Sequence, residues 1–583
     1  MGCVMLDWGS LQRVIAGEVA LPGSPTYEAS RRPFNRRFHE VAPEAFVVSA
    51  TPQTASEAIA FAGRHGLHVA IRSGGHSFAG HSTTRGVVID VSPMRSVSVS
   101  DGLATVGAGA RLGEVYDSLQ SHGLAIPAGT CPSVGVAGLT LGGGLGILGR
   151  KYGVTSDHLV GAEIVLADGR ILACDEHHDE DLFWALRGAG AGNFGVVTSL
   201  IFRTVDAPEA TNFRLTWPYA AAASVIEAWQ EWAPSGPDEL AASLKVTATG
   251  DIDRAPSVDL YGALLGTGAD PAGLLDDLVA RAGSDPDSSS QERMSFPETR
   301  RFWAELGGAA DGDRDDAIAG SSEPVSLFAR SEFFRRALPR DAVAALLDAF
   351  TRERRAGQSR ELDFMPWGGA YNRVRSDATA FVHRGERFQL KHALVVEPDP
   401  TTTDEEAAHR HVARSWASVH PWGSGRVFQN FADPDLEDWA VSYYGRTWSG
   451  SFESRRATTR PTSSTSVSRY RSDSALTEAE FRTTVHPSVE CGSDRDLAGT
   501  GLPPIRRPAI GWDEAWRGPR GLGKEEGMDK VVHFEIPVDD AARAREFYGS
   551  CFDWELNEAD MGGGNMYTTV TTTDIDQATR LPT

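Results

Sequence analysis

The chain has 583 residues, with 56 Lys and Arg against 79 Asp and Glu, which gives a formal net charge of −23. This acidic balance argues against nucleic acid and an anionic membrane surface as partners, because both attract excess positive charge. Hydrophobic residues make up 41% of the chain, which is enough for several packed cores and excludes wholesale disorder. Its five cysteines are scattered, and we expect neither a signal peptide nor a membrane span. The sequence predicts a soluble, cytoplasmic protein without a disulfide framework.

Residues 1–39 form an N-terminal extension, and residues 40–207 alternate short apolar strands with amphipathic helices. We predict strands at 46–49, 68–72, 87–91, 103–107, 164–167 and 170–172, and helices at 54–63 and 112–122. Asp168-Gly169, between the last two strands, is typical of a type I′ hairpin turn. The pattern predicts a mixed α+β fold rather than the strict alternation of a doubly wound sheet.

Residues 208–420 differ in their sequence pattern, which predicts Trp-rich helices and a few strands. We predict helices at 220–232 and 341–354, and strands at 245–248 and 388–390. This region is interpreted as a second α+β layer that packs on the first.

Three glycine-rich segments are the most informative part of the chain. They are Arg72-Ser-Gly-Gly-His-Ser77, Cys131-Pro-Ser-Val-Gly-Val-Ala-Gly138 running on to Gly146, and Gly188-Ala-Gly-Ala-Gly-Asn-Phe-Gly195-Val-Val197. Glycines in apolar surroundings indicate a backbone pressed against a large ligand, and two glycines after a strand favour an anion-binding nest of N–H groups. None of the segments matches a phosphate-binding P-loop or a Rossmann fingerprint. Taken singly, His76 could be an ordinary loop histidine and Cys131 a small buried hydrophobe.

Together the segments closely resemble the berberine-bridge-enzyme-like family of FAD-linked oxidases, which has the FAD-binding fold of the PCMH or vanillyl-alcohol-oxidase type. The resemblance covers about residues 40–445. It implies FAD attached covalently to His76 through the 8α methyl and to Cys131 through ring carbon C6. A double tether would raise the flavin potential and make hydride abstraction from a poor donor feasible. Further FAD contacts are implied for Arg72, Ser73, Gly74, Gly75, Ser77, Val134, Gly135, Gly138, Gly142, Gly143, Gly195, Val197 and Asn430.

The resemblance also implies the domain roles. Residues 40–207 would be the FAD-binding domain, residues 208–420 a substrate-binding domain with an antiparallel sheet covered by helices, and residues 421–445 the start of a return segment to the first domain. Val134 occupies the oxygen-gate position, where a small Val is associated with reaction with dioxygen. His81, His158 and Cys174 lie outside any motif, and we interpret them as structural or surface residues.

The catalytic base departs from the family pattern. The family phenol that takes the alcohol proton is replaced by Phe431, and a second family tyrosine is replaced by Trp367. Candidate bases from the same strands are Tyr371, Lys391 and His392. Neighbouring residues of a strand point to opposite faces, so at most one of Lys391 and His392 should face the flavin.

From residue 446 the composition changes. Residues 446–475 are dominated by Ser, Thr and Arg, which cannot form a packed core, and 446–527 are predicted to be irregular. Back-translation of this stretch in a shifted frame yields Tyr-Asp-Pro-Thr-Asn-Phe, the expected family ending, so we infer a one-base shift near codon 445.

Residues 528–583 resemble the start of the glyoxalase/bleomycin-resistance (vicinal oxygen chelate) family. We predict a strand at 531–536, a helix at 540–548 and about half of a βαβββ module. His533 alone cannot complete a metal site that needs three or four ligands, so no metal is predicted.

The sequence therefore predicts an FAD-dependent oxidase that takes hydride from an alcohol carbon of a sugar or secondary metabolite and is reoxidised by dioxygen. The alternatives are a flavin dehydrogenase, an oxidative cyclase, or a catalytically inactive truncated homologue. The expected partners are the small-molecule substrate and dioxygen, and no oligomeric state is predicted.

Overall fold

The computed structural model describes most of the chain. The described residues are 6–311, 325–397, 400–445, 555–560 and 566–571. They belong to two compact units, 1–487 and 488–583, each of which is described by itself.

The strands of the first unit build two sheets in its N-terminal part, a short two-stranded ladder, and one large sheet further along the chain. The strands are β1 (Gly17–Ala20), β2 (Ala45–Ser49), β3 (Val69–Arg72), β4 (Val87–Asp90), β5 (Val97–Ser100), β6 (Leu103–Gly107), β7 (Leu124–Ala125), β8 (Leu159–Val165), β9 (Ile171–Asp175), β10 (Val196–Arg203), β11 (Val205–Asp206), β12 (Ala210–Pro218), β13 (Leu240–Ala248), β14 (Ser257–Leu265), β15 (Ser288–Met294), β16 (Ser326–Phe334), β17 (Gln358–Pro366) and β18 (Phe388–Val396).

The helices of the same unit are mostly short in the N-terminal part and longer beside the large sheet. They are α1 (Trp8–Gln12), α2 (Pro25–Ser30), α3 (Pro52–His65), α4 (Leu112–Gln120), α5 (Val136–Leu141), α6 (Gly149–Tyr152), α7 (Glu180–Leu186), α8 (Ala222–Ser235), α9 (Ala272–Ala282), α10 (Phe296–Asp311), α11 (Arg340–Thr351), α12 (Thr402–Ala417) and α13 (Trp439–Tyr444).

Helix α3 shows how local sequence sets these boundaries. The Thr51 side chain accepts a hydrogen bond from the backbone N–H of Thr54 at the N-cap, and Pro52 occupies the first turn, where its missing N–H is not needed. Gly66 ends the helix in the left-handed conformation at φ +63°. Phe61 lies on the face that packs into the core. The helix predicted at 54–63 therefore extends by two residues at each end.

The hairpin predicted around Asp168-Gly169 is present, but the prediction of a type I′ turn is wrong. The backbone N–H of Gly169 donates to the carbonyl of Leu166 at 2.9 Å, and Leu166 N–H donates to Arg170 O at 2.8 Å. Gly169 has φ +85°, whereas Asp168 is not in the positive-φ region. The loop therefore has three residues and combines a type I turn with Gly169 in the left-handed conformation. This is a common alternative to the two-residue type I′ loop in hairpins.

The N-terminal part of this unit contains two sheets. In the first, β2, β4 and β3 run parallel in the order β2-β4-β3, and β1 from the N-terminal extension pairs antiparallel with β2. The second is antiparallel in the order β5-β6-β10-β8-β9. Both sheets contribute residues to one large apolar cluster. This architecture confirms the predicted α+β class.

The large sheet is antiparallel, in the order β15-β12-β14-β13-β17-β18-β16. Helices α8, α9, α11 and α12 cover one face, here called the helix face. Helix α10 packs across strands β12, β14, β17 and β18. The other face, here called the cavity face, meets the N-terminal part of the unit. The predicted antiparallel sheet covered by helices is confirmed.

In the second unit, strands β19 (Glu555–Asp560) and β20 (Met566–Thr571) form an antiparallel hairpin. The other predictions made for this part of the chain, an irregular 446–527, a strand at 531–536 and a helix at 540–548, lie outside the described residues. Across the described segments of both units, no helix is long and apolar enough to cross a membrane.

Candidate active site

One cavity of about 360 Å³ brings most of the predicted site residues together. Its walls come from the glycine-rich segments on one side and from the cavity face of the large sheet on the other. The predicted residues that line it are Ser73, Gly74, Gly75, His76, Ser77, Cys131, Val134, Gly135, Gly138, Gly195, Val197, Tyr371, Lys391 and Asn430.

Arg72 does not line this cavity. Its side chain is buried beneath the loop, where Nε donates to the carbonyl of Ser82 at 3.0 Å and the guanidinium lies 4.9 Å from the ring centroid of Phe46. Burial lowers the pKa of Arg72 to about 10, with the Asp90 carboxylate opposing this shift. The Arg72 side chain therefore holds the loop that carries His76, and its contact with the cofactor stays a prediction.

Gly142 and Gly143 also lie outside the cavity wall. A Cβ on Gly142 would lie 2.0 Å from Oδ1 of Asn430, and one on Gly143 would lie 2.5 Å from the Phe381 ring. These glycines are needed for contact between parts of the protein, and their contact with the cofactor stays a prediction. Asn430 is anchored beside them, because its Nδ2 donates to the carbonyl of Leu139 at 2.9 Å.

His76 follows β3 on a loop that turns at Gly75, whose φ of +75° is the left-handed conformation that favours glycine. The imidazole stacks on Phe34 from the N-terminal extension, with ring centroids 4.5 Å apart and planes at 17°. Burial, and secondly the charge of Arg111, lower the pKa of His76 to about 4. The ring is therefore neutral at physiological pH, and one nitrogen has a lone pair available for bond formation.

Cys131 lies on the loop between β7 and α5, and this loop crosses the His76 loop at a pair of glycines. A Cβ on Gly74 would lie 2.2 Å from the backbone N of Gly135, so only glycine permits the crossing. Cys131 Sγ is 3.3 Å from Ser133 Oγ on the same loop. The crossing explains how two residues far apart in the sequence reach the wall of one cavity.

The residues present fit FAD. A Cβ on Gly138 would meet no atom within 4 Å, so the cavity approaches the backbone of α5 at this point. A neutral imidazole and a thiol lie on the same wall, and Val134 lies beside them. His76 and Cys131 are the groups that would hold the flavin, which would supply the two-electron acceptor.

Tyr371 lines the cavity, but its hydroxyl is held in place by the protein. Its Oη donates to the carbonyl of Gly146 at 3.2 Å, and its ring stacks on Trp367 at 4.1 Å. A Cβ on Gly149 would lie 1.7 Å from this Oη, so the phenol has no room to turn. Burial raises the pKa of Tyr371 well above its ordinary value. Both the geometry and the pKa disfavour Tyr371 as a base.

Lys391 and His392 point to opposite faces of β18, as their neighbouring positions predicted. Lys391 lines the cavity, with Nζ 5.3 Å from the ring centroid of Phe431. His392 is on the helix face, where Nδ1 is 2.8 Å from Oγ of Ser415 on α12. His392 is therefore removed as a base that touches the substrate, because the sheet itself separates its ring from the cavity.

A buried row of charged side chains crosses the cavity face. Lys245 on β13 and Lys391 on β18 each lie directly opposite Asp363 on β17. Glu361, two residues earlier on the same strand, has Oε2 3.1 Å from Lys245 Nζ and Oε1 3.3 Å from Lys391 Nζ. Asp363 Oδ2 is 3.6 Å from Lys391 Nζ. Two ammonium groups are thus balanced by two carboxylates, as buried charges require.

The charges of this row set the protonation of its members. Burial raises the pKa of Glu361, but the ammonium groups of Lys245 and Lys391 outweigh this effect, so its pKa lies below the ordinary value. Burial, and secondly the negative charge of Asp363, raise the pKa of Tyr261 well above its ordinary value. Glu361 is therefore ionised and Tyr261 is a neutral phenol.

Four residues of this region, Lys245, Tyr261, Glu361 and Asp363, were not predicted from sequence motifs. A signal was present, because lysines and carboxylates alternate with apolar residues in these strands, which is unusual for residues facing a core. Strand register was needed to place them in one row, and no local pattern supplies it.

His81, which we interpreted as a structural or surface residue, lines the cavity. His158 and Cys174 are structural, as predicted. His158 is buried between the carbonyls of Arg203 and Tyr152, at 3.0 and 3.1 Å, and Cys174 lies in the core. Among the described residues, no group of three or more His, Cys, Asp or Glu could hold a metal ion.

The fold and the cavity define a flavin-binding protein, and known proteins agree. A family model described as an FAD binding domain matches residues 43–175. The FAD-linked oxidoreductase YgaK of Bacillus subtilis is 31% identical over 440 residues, which span 74% of this chain and 91% of that protein. Berberine bridge enzyme-like 6 of Arabidopsis thaliana is 32% identical over 64% of this chain and 68% of that protein.

Solved structures extend the likeness to three dimensions. Physcomitrella patens BBE-like 1 has a TM-score of 0.69 at 26% identity and covers 77% of this chain and 96% of its own. A chitooligosaccharide oxidase has a TM-score of 0.67 at 25% identity with the same coverage. The chain belongs to the berberine-bridge-enzyme-like family of FAD-linked oxidoreductases. A second model, the N-terminal part of bleomycin resistance proteins, matches residues 530–572 and confirms the predicted resemblance there.

Proposed function

We propose that this oxidoreductase is an oxidase that removes a hydride from an alcohol carbon of a sugar or secondary metabolite, with dioxygen as the final acceptor and hydrogen peroxide as the product. The observation that carries this proposal is that one cavity is lined by His76, Cys131, Val134 and three charged side chains of the sheet, Lys245, Asp363 and Lys391. A two-electron acceptor and proton-accepting groups would then meet the same substrate carbon.

The cavity walls support an alcohol as the substrate. Lys245, Asp363 and Lys391 offer hydrogen bonds to hydroxyl groups, while Trp303 and Tyr261 present ring surfaces to the same space. Such a mixture suits a polyhydroxylated or aromatic molecule rather than a hydrocarbon. The structural similarity to a chitooligosaccharide oxidase favours a saccharide.

Covalent attachment of FAD at both His76 and Cys131 is part of this proposal. The neutral imidazole and the thiol would each form a bond to the isoalloxazine ring, and the bound flavin would supply the oxidant. Val134, a small side chain on the same wall, supports access of dioxygen. The remaining residues of the cavity bind the substrate, exclude water and accept the hydroxyl proton.

The test uses the purified full chain and a peroxide-coupled screen. Glucose, cellobiose, chitobiose, benzyl alcohol and cinnamyl alcohol are offered in air, with dye reduction under nitrogen as a parallel readout. We expect peroxide to form with at least one saccharide. Dye reduction without peroxide would instead establish a dehydrogenase. A flavin that no alcohol reduces would overturn the proposal.

A further inference from the structure

We propose that the Asp363 carboxylate is the base that accepts the proton of the substrate hydroxyl in this protein. This inference rests on the proposed function, because it requires an alcohol in the cavity. It adds a catalytic residue that no motif in the sequence indicates.

The first support is the position of Asp363 relative to Phe431. Asp363 lines the cavity, and its Oδ2 lies 3.6 Å from Lys391 Nζ. The same Nζ lies 5.3 Å from the ring centroid of Phe431, the residue that stands where the family phenol is expected. Asp363 and Phe431 thus line the same cavity and share Lys391 Nζ as a neighbour, so a carboxylate is available in the cavity that lacks the phenol.

The second support is that the neighbouring groups are unsuited to the role. Lys391 lies 3.3 Å from Glu361 Oε1 as well as beside Asp363, so its ammonium is stabilised and has no lone pair to accept a proton. Glu361 does not line the cavity, and each of its oxygens lies next to a lysine. Tyr261 and Tyr371 are neutral phenols with raised pKa values. Asp363 is the cavity-facing carboxylate of the row.

The groups that face Asp363 come from both neighbouring strands and the one beyond. Lys245 on β13 and Lys391 on β18 lie directly opposite it, and Tyr261 on β14 senses its negative charge. Together with Glu361 the row is electrically neutral when Asp363 is ionised. Lys391 also provides a donor that could hold the substrate oxygen, so Lys391 acts as a positioning residue and Asp363 as the acceptor.

The step balances in atoms and electrons. The O–H bond of the alcohol breaks and its proton moves to Asp363, while the C–H bond breaks and its hydrogen leaves with both electrons to the flavin. A C=O bond forms, so the alcohol becomes a carbonyl and the flavin gains two electrons. Dioxygen then accepts those two electrons with two protons, one of them equivalent to the proton held by Asp363, and gives hydrogen peroxide.

The decisive variant is Asp363→Asn, with Asp259→Asn as its matched control. Asp259 lies opposite Lys245 in the same row of the sheet, one strand further along, but its carboxylate is bound by Arg214 and it does not line the cavity. Flavin bleaching by the alcohol identified in the screen is followed under nitrogen by stopped flow. Loss of a positioned base lowers such a rate by roughly 10²–10⁴-fold, and we expect this for Asp363→Asn only.

Measurements that do not depend on turnover distinguish a catalytic role of Asp363 from a purely structural one. The dissociation constant of the carbonyl product, measured by titrating the visible spectrum of the oxidised protein, should match the wild type in Asp363→Asn. The melting temperature should fall, because this variant leaves the two buried ammonium groups with one carboxylate. The circular dichroism spectrum below the unfolding transition should match the wild type and shows that the assayed protein is folded. A second variant, Asp363→Asn combined with Phe431→Tyr, restores the phenol and should recover part of the bleaching rate.

Each outcome decides the inference. Bleaching of Asp363→Asn at the wild-type rate overturns it. Equal losses of product binding and rate, with no recovery in the double variant, also overturn it, because Asp363 would then serve only the structure. If Asp363→Asn fails to fold, Asp363→Glu is used instead, because it keeps the charge and displaces the carboxylate. A lower bleaching rate with unchanged product binding in Asp363→Glu supports the inference, and an unchanged rate overturns it. A wild-type protein that no alcohol bleaches refutes the proposed function instead.

Discussion

The two walls of the cavity differ in composition. The wall that carries His76 and Cys131 is largely backbone, and its shape depends on glycines such as Gly74 and Gly135, which leave no room for a side chain. The wall on the large sheet consists of side chains in which ammonium and carboxylate groups alternate across the strands. Steric constraints therefore govern the first wall and charge balance governs the second. Substitutions should affect the two walls in different ways.

The largest expected effect is on the backbone wall. Replacing both His76 and Cys131 with Ala should leave flavin that is released entirely by acid precipitation, because no covalent bond remains. Either single variant should keep an acid-stable flavin, attached through the other residue. Peptide mass spectrometry of the wild type should show one flavin joining the two peptides. Unmodified peptides from flavin-loaded wild-type protein would contradict the double attachment.

The second largest effect is expected on the charged wall. Glu361→Gln should lower the free energy of unfolding by about 3–5 kcal/mol, because Lys245 and Lys391 would lose the carboxylate they share within the protein. Urea denaturation measures this change. Glu227→Gln is the control, since Glu227 pairs with the exposed Arg340 and its loss should change stability little. Equal unfolding midpoints for the two variants would show that charge balance does not control this wall.

The same contrast explains what could be predicted from the sequence. The backbone wall follows from contiguous glycine motifs, so His76, Cys131 and Gly138 were found without a structure. The charged wall is assembled from strands that are far apart in the chain, so Lys245 and Asp363 become neighbours only once the register is known.

Not every residue of the glycine-rich motifs lines the backbone wall. Gly142 and Gly143 were assigned to the cofactor because a glycine motif does not distinguish approach to a ligand from approach to another part of the protein. In the structure these glycines accommodate Asn430 and Phe381. Arg72 is absent from the cavity wall for a related reason, since its backbone belongs to the loop but its side chain turns into the protein.

A third prediction separates these two uses of glycine. Gly74→Ala should reduce the free energy of unfolding by about 1–3 kcal/mol, because its Cβ would lie 2.2 Å from the backbone N of Gly135, which cannot move aside. Gly138→Ala should fold as well as the wild type, because a Cβ there meets no atom within 4 Å. It should nevertheless reduce the flavin content, since the methyl group enters the cavity. Thermal unfolding and the ratio of flavin to protein absorbance measure the two effects. Full flavin loading in Gly138→Ala would show that FAD does not approach α5 at this point.

The smallest effect is expected on the helix face of the same sheet. His392 lies there, on the other side of the sheet from the charged wall. His392 is 1% exposed, and burial lowers its pKa to about 3, with the nearby His411 and Arg330 acting in the same direction. The folded state therefore binds its proton less readily than the unfolded state, where the pKa is about 6.5. Its contribution to stability is fully present above about pH 6.5 and is lost as the pH falls toward 3.

Because His392 stays neutral in the folded state, lowering the pH from 7.5 to 5.5 reduces the free energy of unfolding by about 1.4 kcal/mol through this residue. His392→Asn removes this contribution and keeps a polar group beside Ser415, which lies 2.8 Å from His392 Nδ1. We therefore expect the stability difference between the wild type and this variant to shift by about that amount between the two pH values. Urea denaturation at both pH values measures it, and the comparison with the variant cancels the other titrating groups. A difference that does not change with pH would mean that His392 binds a proton equally well in the folded and unfolded states, and the helix face would then not be closed to water as its contacts indicate.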